Sequence, residues 1–232
     1  MSPPKTAPTP ALLADGLNKS YADLVALAPL NLTVKAGERV VLVGSNGSGK
    51  TTFLRMAAGL IEPSGGSVTV GGHEAGSIEA RAACCYLPDN PVLYEDLSVA
   101  EHVAYTAALY GAEGWEERGV DLIEQFGLAH RADDLPVRFS RGLRQKTSLV
   151  LGLVRPFDVL LVDEPFVGLD SPGKAALLDA IDAVAERGAT VLVATHALEF
   201  ADRASRCVAL RDGEVIHDGP ATPAQVEKLI GT

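Results

Sequence analysis

The sequence of 232 residues has few features of secreted, membrane-spanning or nucleic-acid-binding proteins. Its three cysteines, two of them adjacent at Cys84 and Cys85, form neither a disulfide framework nor a zinc-binding spacing, which fits a reducing cytosol. No apolar run approaches the roughly 18 residues that a membrane-spanning helix needs. The balance of 20 Lys+Arg against 30 Asp+Glu argues against a nucleic-acid surface and against unaided binding to an anionic membrane.

The first ten residues, MSPPKTAPTP, are rich in proline and contain no apolar segment. We therefore expect residues 1–10 to be a disordered tail rather than a signal peptide, with the folded part starting near Ala11. The remaining length can bury one substantial core, or one core with a small satellite subdomain. A hydrophobic content of 47% is ordinary for a folded globular protein.

Alternating β and α patterns predict an α/β fold. DVLLVDEP and TVLVATH are compact apolar runs, typical of strands that are buried on both faces of a parallel sheet. Between them, GKAALLDAIDAVAERG predicts an amphipathic helix that Gly188 ends. LTVKAGERVVLVG predicts two short strands around a turn at residues 36–37, and CVALRDGEVIHDG predicts a hairpin that turns at residues 212–213. Apolar spacings of three and four predict helices within residues 98–154.

The most specific motif is GSNGSGKT, which fits G-x-x-x-x-G-K-S/T between a predicted strand and a predicted helix. Its glycines allow successive backbone N–H groups to point at phosphate near a helix N-terminus. Lys50 adds a positive charge at the β- and γ-phosphates, and the Thr51 hydroxyl can bind Mg²⁺. The predicted nucleotide-binding residues of this loop are Gly44, Ser45, Asn46, Gly47, Ser48, Gly49, Lys50, Thr51 and Thr52.

Three further polar side chains follow predicted buried strands. Asp163 suits a Mg²⁺ ligand that acts through water, and Glu164 suits a group that orients or deprotonates an attacking water. His196 follows the predicted strand at residues 190–195, and parallel sheets place ligand groups at the carboxyl ends of their strands. The alternative is that Asp163 and Glu164 are solvated acids of a loop and that His196 has only a structural role.

These motifs, taken together and in order, resemble the ATP-binding cassette family, the ATPase subunits of membrane transporters, over about residues 11 to 220. GSNGSGKT resembles the family's phosphate loop and VLLVDEP its Mg²⁺- and water-activating strand. VGLD resembles its dimer-contacting loop, and THALEFAD its switch-histidine segment. The resemblance implies catalytic roles for Lys50, Glu164 and His196. Tyr21 falls where the family stacks an aromatic ring on adenine, with a core tyrosine as the alternative.

The same resemblance implies the fold and its boundaries. We expect a P-loop NTPase core with a parallel sheet, an antiparallel β subdomain and an inserted α-helical subdomain. Residues 11–232 would form a single domain, with the nucleotide-binding core at about 11–90 and 155–232 and the helical subdomain at about 95–154.

The basic segment FSRGLRQK resembles the family's signature, usually written L-S-G-G-Q, with Ser140 and Gly142 at matching positions. Arg141 replaces the first glycine, and Leu143 replaces the glutamine. Ser140 is a natural N-cap for the helix that follows, whose positive dipole end would be free for an anion. In the family this helix end faces the γ-phosphate of ATP held by the other protomer. Ser140 and Gly142 are therefore expected to contact nucleotide, whereas Arg144 and Lys146 are expected to be solvated. A basic helix face that only solubilises the protein is the alternative.

One more departure from the family concerns the loop that enters the helical subdomain, where the family has glutamine and YLPDNPVLYEDLSV has Asp89. An aspartate offers an oxygen toward Mg²⁺ or water, but it is shorter and has no amide donor. We predict Asp89 as a nucleotide- and metal-site residue beside Thr51 and Asp163. A loop acid without a role is the alternative.

We therefore predict an ATP hydrolase that uses ATP and Mg²⁺ to power transport through a separate integral membrane subunit. Two copies of the chain would sandwich two ATP molecules. Asp89 and Arg141 resemble prokaryotic stand-alone export-type cassettes. The protein would be cytoplasmic, peripheral on the inner face of the cell membrane through its membrane partner, and would bind no nucleic acid.

Other function classes are less consistent with the sequence. Soluble cassette ATPases that act on DNA or ribosomes typically carry long coiled coils, zinc modules or two cassettes, and their surfaces are less acidic. A nucleotide-binding regulator without turnover would not need Lys50, Glu164 and His196 together. A GTPase is disfavoured because no N-K-x-D motif follows the phosphate loop.

Overall fold

The computed structural model describes residues 9–196 and 198–231. Residues 1–8 of the expected tail and Ala197 of THALEFAD lie outside the described residues. The strands are β1 (Leu12–Tyr21), β2 (Leu24–Val34), β3 (Arg39–Val43), β4 (Gly65–Val70), β5 (His73–Glu74), β6 (Cys84–Leu87), β7 (Val159–Asp163), β8 (Thr190–Ala194), β9 (Arg206–Arg211) and β10 (Glu214–Gly219). The helices are α1 (Lys50–Ala57), α2 (Ile78–Ala83), α3 (Val99–Leu109), α4 (Trp115–Gln125), α5 (Arg141–Val154), α6 (Ser171–Glu186) and α7 (Pro223–Gly231).

A six-stranded sheet in the order β10-β9-β3-β8-β7-β6 forms the centre of the fold. The pairs from β9 to β6 are parallel, and β10 adds an antiparallel edge. Every residue of β7 and of β8 is buried. The prediction of a parallel sheet covered on both faces is therefore confirmed, as is the hairpin, in which Asp212 and Gly213 both have positive φ.

Successive side chains of the central strands belong alternately to two hydrophobic cores. Val41, Leu160 and Val193 point to the face that packs against α5 and α6. Val40 and Leu161 point to the opposite face, where α1 and the second sheet lie. The two-residue period of a strand thus divides one apolar run between two cores, which explains why these strands show no polar alternation.

The second sheet is antiparallel, in the order β2-β1-β4-β5, and confirms the expected β subdomain. It contacts the central sheet near the phosphate loop, where the Ala28 amide donates to the Gly213 carbonyl at 2.9 Å. The strands on either side of the turn at residues 36–37 are β2 and β3, and they belong to different sheets. The turn therefore carries the chain from one sheet to the other.

Helices α3, α4 and α5 pack together beside the edge strand β6. Ser98 begins α3 with a capping box, because its hydroxyl accepts from the Glu101 amide while the Glu101 carboxylate accepts from the Ser98 amide. The helical pattern of residues 98–154 is thereby confirmed, with two 3₁₀ turns, Ala129–Arg131 and Pro136–Arg138, between α4 and α5. Among the described residues, no helix combines the length and apolarity needed to cross a bilayer.

Arg155 ties the end of α5 to the core although it is buried and has no carboxylate partner among the described residues. Its guanidinium donates to backbone carbonyls that include those of Ala82, Cys84 and Pro156. It also stacks on the Tyr110 ring, 3.8 Å from the centroid. Of these acceptors only Cys84 is a buried residue, so its carbonyl depends most on this donor.

Arg155→Met should lower the free energy of unfolding by about 2 kcal/mol, because the buried Cys84 carbonyl loses its donor and the Tyr110 ring loses its cationic partner. Urea titration followed by circular dichroism measures the change. The matched control is Arg131→Met, whose guanidinium pairs with Asp134 at an exposed position. It should cost no more than about 1 kcal/mol. Equal losses for the two variants would contradict the role of Arg155.

Candidate active site

The phosphate-loop segment joins β3 to α1 in a conformation that its three glycines make possible. Gly44 and Gly49 have φ of 150° and 103°, in a region that favours glycine. A Cβ on Gly44 would lie 2.2 Å from the Leu210 carbonyl oxygen, and one on Gly49 would lie 2.8 Å from that of Ala26. Packing on both sheets therefore leaves no room for a side chain at either position.

Lys50 lies at the start of α1 with its ammonium group folded over this loop. Its Nζ donates to the Gly44 carbonyl at 2.7 Å and to the Ser45 carbonyl at 3.2 Å. Burial lowers the pKa of Lys50, while the carboxylates of Glu164 and Asp163 act in the opposite sense. Beside it, the buried hydroxyl of Ser48 has no partner in the described part of the chain. A buried cation, an unpaired hydroxyl and a helix N-terminus together fit a bound phosphate.

Asp163 ends β7 and faces Thr51. The Thr51 hydroxyl donates to Asp163 Oδ1 at 3.1 Å, and the Tyr86 hydroxyl lies 3.4 Å from Oδ2. Asp163 is 1% exposed, and its burial raises its pKa, as do the nearby carboxylates of Glu164 and Asp89. The Asp163 carboxylate and the Thr51 hydroxyl are adjacent hard oxygen ligands, which fit Mg²⁺.

Glu164 lies between a cation and a histidine at the carboxyl ends of β7 and β8. Its backbone has φ of 47°, a strained value for a residue with a side chain. Its carboxylate lies 3.8 Å from Lys50 Nζ and 2.9 Å from His196 Nδ1. The His196 amide also donates to Glu164 Oε2 at 3.3 Å. The structure thus brings together all three predicted catalytic side chains.

The basic segment forms the start of α5, and its N-cap is confirmed. The Ser140 hydroxyl accepts from the Leu143 amide at 3.3 Å. Gly142 packs on the loop after β7, since a Cβ there would lie 2.4 Å from the Gly168 carbonyl oxygen. The glycine at position 142 is therefore required by a contact within the same chain.

The expectation that Lys146 is solvated is wrong. Its Nζ lies 2.8 Å from Asp170 Oδ1, and its side chain is only 12% exposed. Asp170 also caps α6 by accepting from the Gly173 amide. Since the start of α5 packs on the loop that precedes α6, Lys146 faces this carboxylate. Arg144 is exposed, as expected, and donates to the Val137 carbonyl at 3.3 Å.

Asp89 and Arg141, which each depart from a family motif, contact each other. Arg141 Nη2 lies 2.5 Å from Asp89 Oδ1, and the side-chain Nδ2 of Asn90 donates to Asp89 Oδ2 at 3.0 Å. Two basic residues of the segment, Arg141 and Lys146, therefore have anionic partners within this chain.

Of two tyrosines considered for the site, Tyr86 contacts a site residue and Tyr21 is predicted to contact adenine. Tyr21 lies at the end of β1 and is 50% exposed, with Lys19 Nζ 5.1 Å from its ring centroid. It is therefore not a core tyrosine, and adenine stacking stays a prediction. Tyr86, which contacts Asp163, was missed by sequence reasoning. The only signal was a phenol in the otherwise apolar strand CCYL.

The family model described as ABC transporter matches residues 27–167, more than half of the chain. The SkfA peptide export ATP-binding protein SkfE of Bacillus subtilis (strain 168) is 34% identical over 205 residues, covering 87% of this chain and 86% of its own. EcsA, an ABC-type transporter ATP-binding protein of the same organism, is 35% identical and covers 86% of this chain and 83% of its own.

The chain belongs to the ABC transporter ATP-binding family. A solved ATP-binding subunit of an ABC transporter superposes with a TM-score of 0.87 at 31% identity, covering 94% of this chain and 99% of that one. The cassette MJ0796, solved as a dimer in a post-hydrolysis state with ADP and Pi, superposes with a TM-score of 0.81 at 26% identity, covering 90% and 98%. The expected P-loop NTPase fold is confirmed, and the protein is an ABC transporter ATPase whose substrate is ATP.

Proposed function

We propose that two copies of this cassette bind two ATP molecules between the phosphate loop of one copy and the Ser140–Gly142 segment of the other, and that hydrolysis drives an exporter. The observation that carries the proposal is the convergence of Lys50, Asp163, Glu164 and His196 at one edge of the central sheet. A dimeric relative bound to ADP and Pi supports the dimer. SkfE, a peptide export ATP-binding protein, supports the direction of transport.

Each side chain has a role that follows from its position. Lys50 and the loop amides would hold the phosphates, and Thr51, Asp163 and Asp89 would hold Mg²⁺, which when bound neutralises phosphate charge. Glu164 would accept a proton from the attacking water, with His196 orienting its carboxylate. Tyr21 would stack on adenine. His196 is half exposed, which leaves it accessible to a second copy.

The membrane partner is an integral subunit that contacts the cleft between the central sheet and the helices. This cleft has a volume of about 560 Å³ and is lined by exposed apolar side chains that include Leu60 and Val92. The loop that carries Asp89 forms one wall, so a partner seated here would contact the segment next to the proposed metal site. Through this partner the cassette would be cytoplasmic and peripheral on the inner face of the cell membrane.

We further propose that residues 11–232 form one domain, in which residues 95–154 are the helical subdomain of the cassette.

Val92→Asp should abolish co-purification of an integral membrane subunit from detergent-solubilised membranes, because it places a charge in the apolar wall of the cleft. Val92 is 97% exposed, so the fold should tolerate the change. The isolated cassette should keep its ATPase activity. The matched control is Val120→Asp, on the exposed face of α4, which should still co-purify the subunit. Recovery of no membrane protein with the unaltered chain would contradict the proposed function.

A further inference from the structure

The contact between Asp89 and Arg141 joins two segments that are far apart in the chain. Asp89 lies in the loop after β6, and Arg141 is the first residue of α5. Their side chains are 30% and 49% exposed, and they are 52 residues apart. Each residue alone departs from its family motif, and together they form an ion pair that neither motif would make.

The carboxylate of Asp89 also acts on the proposed metal site. Strands β6 and β7 are paired, with Leu87 opposite Val162, so the residues that follow these strands lie at the same edge of the sheet. Asp89 follows β6 there and its charge raises the pKa of the buried Asp163. These two carboxylates repel each other, and a cation near either one reduces the repulsion. In this structure Arg141 supplies the positive charge for Asp89.

Because both side chains are partly exposed, Asp89 can readily exchange Arg141 for another cation. Partly exposed pairs contribute little net free energy, because solvent screens the charges and both side chains lose freedom. A divalent cation with oxygen ligands attracts a carboxylate more strongly than a single guanidinium does. A guanidinium and Mg²⁺ on the same carboxylate would in turn repel each other.

We propose that Arg141 and Mg²⁺ compete for the carboxylate of Asp89, so that Arg141 is a positioning residue that holds Asp89 off the metal site until nucleotide with Mg²⁺ binds. The inference rests on the proposed role of Asp89 at that site. Exchange would free the guanidinium at the start of α5, the segment proposed to face the nucleotide of the second copy. It would also release the Asp89 loop, which forms one wall of the cleft between the central sheet and the helices.

The test is the affinity for ADP with and without Mg²⁺, measured by isothermal titration calorimetry on the full chain. Arg141→Gln removes the competitor, so binding of Mg·ADP should tighten by about twofold to fivefold, the range that the loss of a partly exposed ion pair allows. Binding of ADP in the presence of a chelator should not tighten. Arg141→Lys, which keeps the charge, should stay near the unaltered protein.

The competition predicts that the gain depends on Asp89. Asp89→Asn should weaken Mg·ADP binding, and adding Arg141→Gln to it should then give no gain. The matched control is Arg144→Gln, because Arg144 lies one helical turn from Arg141 and bonds a backbone carbonyl instead of a carboxylate. This control should leave both affinities unchanged.

Two outcomes would overturn the proposal. Weaker Mg·ADP binding by Arg141→Gln would mean that Arg141 supports the nucleotide directly or through the fold. A gain that persists in the Asp89→Asn background would mean that Asp89 is not the shared ligand. The failure of the unaltered chain to bind ADP at all would instead contradict the proposed function, so the two failures are distinguishable.

Discussion

Glu164→Gln is expected to slow ATP hydrolysis by about 10²- to 10⁴-fold, the contribution of a positioned general base. Glutamine keeps the length of the side chain but loses the proton-accepting oxygen that lies between Lys50 and His196. Binding of ATP should persist, because the phosphate loop and Lys50 are unchanged. Phosphate release measures turnover, and equilibrium dialysis measures binding. The variant should also accumulate as an ATP-bound dimer on gel filtration, since closure no longer ends in hydrolysis.

The control for this prediction is Glu186→Gln, an exposed acid at the end of α6. It changes the net charge equally and should leave turnover unchanged. Wild-type turnover in Glu164→Gln would remove Glu164 from the proposed role. A loss of ATP binding would instead show that its contact with Lys50 organises the phosphate loop.

The central strands could be predicted from sequence because their signals are local. The runs VLLVD and TVLVA are buried along their whole length, and the hairpin turn needs only Asp212 and Gly213. The sheet to which a strand belongs is not a local property. The strands on either side of residues 36–37 are neighbours in sequence, yet β2 pairs with the preceding strand β1, whereas β3 pairs with β8 and β9, far along the chain. The short helix α2 was not predicted.

In the candidate site, too, local features could be predicted from sequence and long-range contacts could not. The phosphate loop, Asp163 and Glu164 could be named from motifs, since each motif is a short segment with a fixed local geometry. The ion pairs of Arg141 and Lys146 could not, because each depends on how α5 packs against distant loops. The basic segment suggested a phosphate as its partner, while the packing supplies carboxylates of the same chain for two of its side chains. Its relation to a second copy stays a prediction.

The proposed contact between the Ser140–Gly142 segment and the nucleotide of a second copy can be tested with Ser140→Arg and Lys50→Ala. Ser140→Arg places bulk and charge where the phosphate of a second copy would approach, and Lys50→Ala removes the cation of the phosphate loop. Each homodimer should be nearly inactive. Ser140 is a better probe than Gly142, because any side chain at position 142 would collide with the Gly168 carbonyl of its own chain.

Loss of the helix cap needs its own control. The Ser140 hydroxyl accepts from the Leu143 amide, so any substitution also removes an N-cap worth about 1 kcal/mol. Ser140→Ala removes the cap without adding bulk or charge. It should fold and retain most of the ability to form an ATP-dependent dimer, so a defect confined to Ser140→Arg reports on the approach of the phosphate.

An equal mixture of the Ser140→Arg and Lys50→Ala proteins should recover about one quarter of the wild-type ATPase activity, because half of the dimers are mixed and each has one intact site of two. Subunit exchange is verified with differently tagged copies. ATP-dependent dimer formation, measured in a Glu164→Gln background, should fail for Ser140→Arg while its monomer still binds ATP. If Ser140 and Lys50 of one chain served the same nucleotide, each variant chain would have a damaged site. Mixed dimers would then contain no intact site, and no activity would return. Loss of ATP binding by the isolated Ser140→Arg monomer would show that this segment serves the nucleotide of its own chain, and the assignment to a second copy would be wrong.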